Sequence, residues 1–294
     1  MEQEQVAKIM RVAGAAATVG VVGCVHAAAK LMPLGQLMTM RALVSGILIL
    51  AYGLLFKQSS QLWPNQWRPH LIRGTLACCA MVLSYIAFAR LPVTQAQTLT
   101  FLAPLIVLPL AAWQLGETLT ARLITGLLLG FVGMLVVLGL SFELGPYALW
   151  GTICGIAAAV FIALIQVKVR SMMKTESAIS TALSFTLIVT LVSGLSYFWG
   201  DWIRLTGAAL WILLAAGLFG ALNLVLFAES LARAPASVVA PLDYTALVWA
   251  LLVDFLIFAQ APDMLGFAGS ILITMGALIV VLKPRTAKSR QAAS

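Results

Sequence analysis

The sequence predicts an all-α membrane protein of ten transmembrane helices in two inverted five-helix repeats, and three observations carry that expectation. Apolar residues make up 62% of the chain and charged residues only 10%, against about 45–50% and about 25% in a soluble domain. The apolar residues gather into ten runs of about 20, the length a helix needs to cross a bilayer. One half of the chain can also be laid on the other at a constant offset of 143 positions.

Lipid offers no hydrogen bonds, so backbone within it must be satisfied inside the segment, by a helix or a closed barrel. Runs of this length select helices. Hydropathy places spans near 12–30, 35–56, 71–90, 93–115, 120–140, 146–168, 178–199, 208–231, 235–258 and 264–282. The first span imitates a secretory leader, because Lys8 and Arg11 precede an apolar stretch ending in Ala27, Ala28 and Ala29. Glu2, Glu4 and the interrupting His26 argue that it stays as a span. Connections are short, and none has the composition of a separate soluble domain.

With the N-terminus cytoplasmic, Lys8, Arg11, Lys57, Arg68, Arg73, Arg122, Lys168, Arg170, Lys174, Arg233 and the four basic residues of the tail all fall inside. Only Lys30, Arg41, Arg90 and Arg204 fall outside or near the outer helix ends. That bias predicts a multi-pass protein of the bacterial inner membrane with both termini cytoplasmic. It also accounts for the net charge of +8 without a nucleic-acid partner. Cys24, Cys78, Cys79 and Cys154 lack paired spacing and read as small membrane-buried residues. No metal or cofactor is expected.

The offset superposes Arg90 and Pro92 on Arg233 and Pro235, then Gly126 and Gly133 on Gly269 and Gly276. The chain therefore divides into repeats 1–142 and 143–294. Five spans per half is odd, so the second half enters the membrane from the opposite side, the inverted arrangement of many secondary transporters.

The stretch Arg90-Leu-Pro-Val-Thr-Gln-Ala, followed by Phe101-Leu-Ala-Pro-Leu, Leu115-Gly-Glu117 and Leu119-Thr120, resembles the EamA-type half of the drug/metabolite transporter superfamily. Arg233-Ala-Pro-Ala-Ser-Val-Val and Gly266-Phe-Ala-Gly269 repeat it, with Gln260 where the first half has Glu117. That departure marks Glu117 as a helix-end or loop feature rather than a transport group. The resemblance implies a central cavity lined mainly by spans one, three, four, six, eight and nine, with five and ten at the periphery, and alternating access. Met40-Arg41 and His70-Leu-Ile-Arg73-Gly are most similar to the branch holding S-adenosylmethionine and riboflavin uptake carriers; amino-acid exporters are close relatives.

A charge within lipid costs about 2.5–3.5 kcal/mol on insertion scales, so each needs a partner, a cavity or a purpose. Asp243 falls eight residues into span nine, about 12 Å from its start, near the midplane. Its counterpart in the first half is Thr100, and that of Tyr244 is Phe101. Two readings stand for this group: Asp243 meets a substrate amine or a coupling proton while Phe101 and Tyr244 stack on the substrate, or it is a carboxylate buried against Arg41 or Asn223. Gln97 shares a helix face with Phe101 and can reach a substrate. Tyr85 and Trp249 are cavity walls or packing, and His26 is a pH-coupling group or a packing histidine. Asp254, close to three turns beyond Asp243, lines an outer vestibule or lies at the interface. Gly126-x-x-x-Gly130 and Gly151-x-x-x-Gly155 are packing signals.

Two distant histidines, no paired metal ligands and no nucleotide loop leave an enzyme nothing to assemble. The expectation is a secondary transporter, monomeric or homodimeric, for a small polar organic metabolite such as an amino acid, S-adenosylmethionine or a riboflavin-like compound. It is driven by substrate gradients, protons or exchange, because no ATP-binding motif is present. The rival readings are a flippase for a lipid-linked substrate and a structural membrane subunit.

Overall fold

The computed structural model describes residues 2–29, 31–56, 62–91, 93–138, 146–200, 202–205, 207–258 and 264–282. Every regular element among them is helical, and ten segments are long and apolar enough to cross a membrane. In chain order the helices are α1 (Glu2–Ala29), α2 (Leu34–Phe56), α3 (Trp67–Arg90), α4 (Val93–Thr100), α5 (Ala103–Leu115), α6 (Ala121–Leu138), α7 (Pro146–Met172), α8 (Ala178–Gly194), α9 (Gly207–Arg233), α10 (Ala236–Val239), α11 (Thr245–Phe258) and α12 (Met264–Val281).

Two differences from the sequence reading matter for function. The first concerns α1, which begins at Glu2 instead of residue 12. Acidic residues in its first turn, Glu2 and Glu4, suit a helix N-terminus, and Glu4 pairs with Lys8 one turn on at 2.7 Å. Arg11 is thereby carried inside the bundle instead of flanking it; its side chain is 11% exposed.

The second difference concerns spans four and nine, each expected to be one continuous helix. Span four breaks at Phe101 and Leu102, between α4 and α5. Span nine breaks into α10, a 3-10 segment over Ala240–Tyr244, and α11. Pro104 and Pro241 lie just after each break begins and lack the N–H that would continue the ladder. Tighter bonds bridge the first gap: Leu102 N–H donates to the Leu99 carbonyl at 3.1 Å and Leu105 N–H to that of Leu102 at 3.0 Å. At its far end α5 stops at Gly116, whose φ of 67° is the left-handed conformation glycine tolerates.

α1 packs along α9, and α3 along α7, while α2 meets α8 and α9. α6 and α12 form the most extensive pair. A β-carbon on Gly133 would stand 2.7 Å from the Gly269 carbonyl oxygen, and one on Gly126 would stand 2.9 Å from that of Gly276. The reverse contacts, Gly269 to Gly133 at 2.7 Å and Gly276 to Gly126 at 2.6 Å, are equally close. Two backbones touching this way leave no room for side chains. At the 143-residue offset the pair Gly126–Gly276 corresponds to Gly269–Gly133. Gly130, Gly151 and Gly155 are likewise filled by neighbours, Tyr244, Leu91 and Leu99 respectively.

Candidate polar cavity at the bundle centre

A cavity of about 370 Å³ opens at the middle of the bundle. Its polar wall consists of Arg11 and Thr18 on α1, Arg41 on α2, Arg73 on α3, Gln166 on α7, Asn223 on α9 and Asp243 in the 3-10 segment. α2 and α8 contribute beyond what the resemblance implied, through Arg41 and Phe185. α4 lines instead an adjoining cavity of about 300 Å³, which shares Arg11, Thr18 and Asp243 with the central one. A third cavity of about 280 Å³ lies between α2, α3 and α8 and meets the centre at Ala77 and Phe185.

Asp243 is held on both oxygens. The Arg11 guanidinium donates to Oδ1 through Nε, with Nη2 also in contact, and Gln166 Nε2 donates to Oδ2 at 2.7 Å. The carboxylate partners are therefore Arg11 and Gln166, in place of Arg41 or Asn223. The Arg11 guanidinium also stacks over Phe227, 4.7 Å from the ring centre. Arg73, 3% exposed, donates to the Thr181 carbonyl at 2.5 Å and stacks on Phe185 at 4.5 Å.

The remaining residues singled out from sequence separate into three groups. Gln97, Thr100 and Phe101 line the 300 Å³ cavity beside Asp243, and Tyr85 lines the one between α2, α3 and α8. Tyr244 is fully buried; its hydroxyl donates to the Phe101 carbonyl at 3.1 Å and its ring lies 6.0 Å from that of Phe101, so it holds the two breaks together. Trp249, half-buried on α11, and His26, exposed in the last turn of α1, are not part of these walls. The Asp254 side chain, Lys30 and Gln260 lie outside the described residues.

Sequence reasoning missed Arg11, Arg73 and Gln166 as cavity residues. Arg11 was assigned to the basic flank of the first span, and the signal against that was the Glu2–Glu4–Lys8 pattern of a helix already under way. Gln166, uncharged within a long apolar run, gave none.

Away from the cavity, two carboxylates, Glu117 half-buried and Glu176 buried, organise the face of the bundle that holds Glu2. Glu117 accepts from the Ala236 and Ser237 backbone N–H groups at 2.8 and 2.9 Å and from the Ser237 hydroxyl at 2.7 Å. It caps α10, as the departure at Gln260 implied for a helix-end residue. Glu176 accepts from the Asn65 and Gln66 N–H groups at 2.9 and 3.0 Å and lies 3.5 Å from His70 Nε2, while His70 Nδ1 lies 2.5 Å from Ser184 Oγ. This cluster closes the seam between α3 and α8.

The polar groups are shared unequally between the halves. Arg11, Arg41 and Arg73 come from the first half, Gln166, Asn223 and Asp243 from the second. At the 143-residue offset the three arginines correspond to Cys154, Ser184 and Ala216.

Comparison with known proteins agrees with this architecture. Two segments, residues 8–139 and 149–282, match the model of the EamA-like transporter family. The pseudopaline exporter of Pseudomonas aeruginosa is 25% identical over 256 residues, covering 86% of this chain and 88% of the relative. The S-adenosylmethionine uptake transporter of Rickettsia felis is 28% identical over 223 residues, covering 76% and 74%. A solved crystal structure superposes with a TM-score of 0.81 at 20% identity over 100% of both chains, which speaks to the fold alone. The ten membrane-length helices and the family match over most of their length together establish that this chain belongs to the EamA-like transporter family.

Proposed function

We propose that the protein is a secondary transporter that moves a small polar organic metabolite across the bacterial inner membrane by alternating access. The observation that carries this reading is the charged cavity itself. Three arginines, an aspartate, a glutamine and an asparagine converge on one cavity enclosed by membrane-length apolar helices. Ionisable groups inside a membrane face a pathway or a bound solute by default, and about 370 Å³ is within the usual size of a small-molecule site.

The positive-inside bias favours a cytoplasmic location for the face carrying Glu2. In that orientation the cavity between α2, α3 and α8, lined by Leu34, Tyr85, Ser196 and Trp199, is the route outward. The cluster of His70, Ser184 and Glu176 is the cytoplasmic closure. Relatives include an exporter of pseudopaline and importers of S-adenosylmethionine; at 25–28% identity they support transport as the activity and leave cargo to the residues of this cavity.

Purified protein reconstituted into liposomes tests the reading. Saturable flux of a polar metabolite that requires the protein is the expected result. Outward access predicts that a cysteine placed at Ser196 reacts with a membrane-impermeant maleimide added from outside intact cells. Protection of that cysteine from outside, together with absence of flux for any polar solute, refutes the proposal.

A further inference from the structure

The central cavity carries more positive charge than its own walls neutralise. Of its four charged side chains, Arg11 and Asp243 satisfy each other, and Gln166 takes the remaining Asp243 oxygen. Arg41 and Arg73 are left. Among the described residues neither forms an ion pair with a carboxylate. Glu176, at the foot of the α3–α8 seam, is committed to the Asn65 and Gln66 backbone and to His70.

Both arginines have donors to spare. A guanidinium has five N–H donors and no acceptor, and it stays protonated in proteins. Arg73 places one nitrogen on the Thr181 carbonyl, and its Nε is buried without a partner. Arg41 approaches the Met38 sulfur, a weak acceptor, at 3.8 Å, and its Nε too is buried and unpaired. Gln166, 3% exposed, has an unpartnered buried Oε1 in the same cavity. Desolvated cations without a counter-charge are strongly disfavoured, so a guest that supplies negative groups is the one these walls complement.

We propose that the cavity binds an organic dianion, a small dicarboxylate or a phosphate monoester, with its negative groups received by Arg41 and Arg73 and a donor group on its backbone by Gln166. Planar guanidinium forks suit carboxylate and phosphate oxygens equally, since both accept two parallel N–H bonds. A cationic solute would meet two excess positive charges and no free carboxylate. As a statement about cargo the inference rests on the transporter reading above; as a statement about binding it stands apart from it.

Thermal unfolding of the purified full-length protein tests it with five probes. Succinate and glutarate represent dicarboxylates, glycerol 3-phosphate represents the phosphate monoester, and putrescine and cadaverine are chains of similar length with the charge reversed. One or more of the dianions is expected to raise the midpoint saturably by mass action, and the responding probe identifies which anionic group is read. The diamines are expected to leave it unchanged. Arg41→Gln and Arg73→Gln should each weaken the effective dianion by about tenfold or more, the usual loss for a charge-assisted bond. Arg204→Gln, at an exposed position, should not change it.

The midpoint of Arg41→Gln without any probe separates binding from scaffolding. A residue kept for its guest leaves that midpoint at or above wild type when its charge is removed, whereas a structural arginine lowers it. Stabilisation by the diamines alone, or by none of the five probes, overturns the proposal. Dianion binding without dianion flux in liposomes would refute the transporter reading and leave the anion site standing.

Discussion

Tyr244 donates its hydroxyl hydrogen to the carbonyl oxygen of Phe101, the residue 143 positions earlier that stands in its place in the first half of the chain. The bond joins the break between α4 and α5 to the 3-10 segment between α10 and α11, so it marks where the two broken helices meet. Tyr244→Phe removes the donor of this part-buried bond, at an expected cost of about 0.5–1.5 kcal/mol. A lower thermal midpoint, without change in the monodispersity of the purified protein, is the measurement that checks it.

One turn from Gly130, where the Tyr244 ring packs, the close contact of α6 with α12 rests on Gly133 and Gly269. Because any β-carbon at Gly133 would press on a backbone oxygen at 2.7 Å, Gly133→Leu forces α6 and α12 apart. Overpacking of this kind typically costs about 1–3 kcal/mol. Gly23, where a β-carbon meets nothing, is the matched control; comparable stability losses at Gly23 and Gly133 would contradict the packing account.

Glu117 serves α10 with three accepted bonds, two of them from backbone N–H groups that a short helix leaves without partners. Glu117→Ala should therefore destabilise by about 2 kcal/mol, the scale of hydrogen bonds to a charged group. Most of that loss should survive Arg170→Gln, since Arg170 stands off at 3.7 Å. Chemical denaturation of the two single variants and the double variant provides the comparison.

For the Asp243 carboxylate the sign of the effect depends on its partner. Asp243→Asn leaves Arg11 buried and unpaired, and breaking such a pair from one side costs about 3–5 kcal/mol. Removing both charges in Arg11→Gln with Asp243→Asn should recover a large part of that loss. Stability of the three variants, measured beside their flux in liposomes, distinguishes a failed fold from a failed site. Additive losses in the double variant would show that the two groups do not interact.

The architecture was legible because hydropathy, loop charge and the 143-residue self-match all report on long segments, where single errors average out. The breaks in the fourth and ninth spans were less so. Pro104 and Pro241 mark them, yet proline is tolerated in membrane helices often enough that neither residue forces a break by itself. At the cavity, Asp243, Gln97, Thr100 and Phe101 were found because an acid at mid-depth draws attention to its own neighbourhood. Arg11 and Arg73 escaped as site residues because a basic residue near a span end satisfies the positive-inside rule, and that rule is silent on which way the side chain points. Arg41 was noticed in the Met40-Arg41 motif and as a possible partner for the acid, not as a group facing a guest. Tyr244 was expected to face a guest, but its full burial turns it into a strut.

The uneven division of polar groups also limits what the two halves could do alone. Among the described residues, 1–142 supply three guanidinium groups to the cavity wall and no acid. The other half supplies the acid and the two amides. The two stretches are complementary instead of interchangeable at this cavity: the only acid described on its wall comes from one and the three guanidinium groups from the other, so the Arg11–Asp243 pair exists only when both contribute.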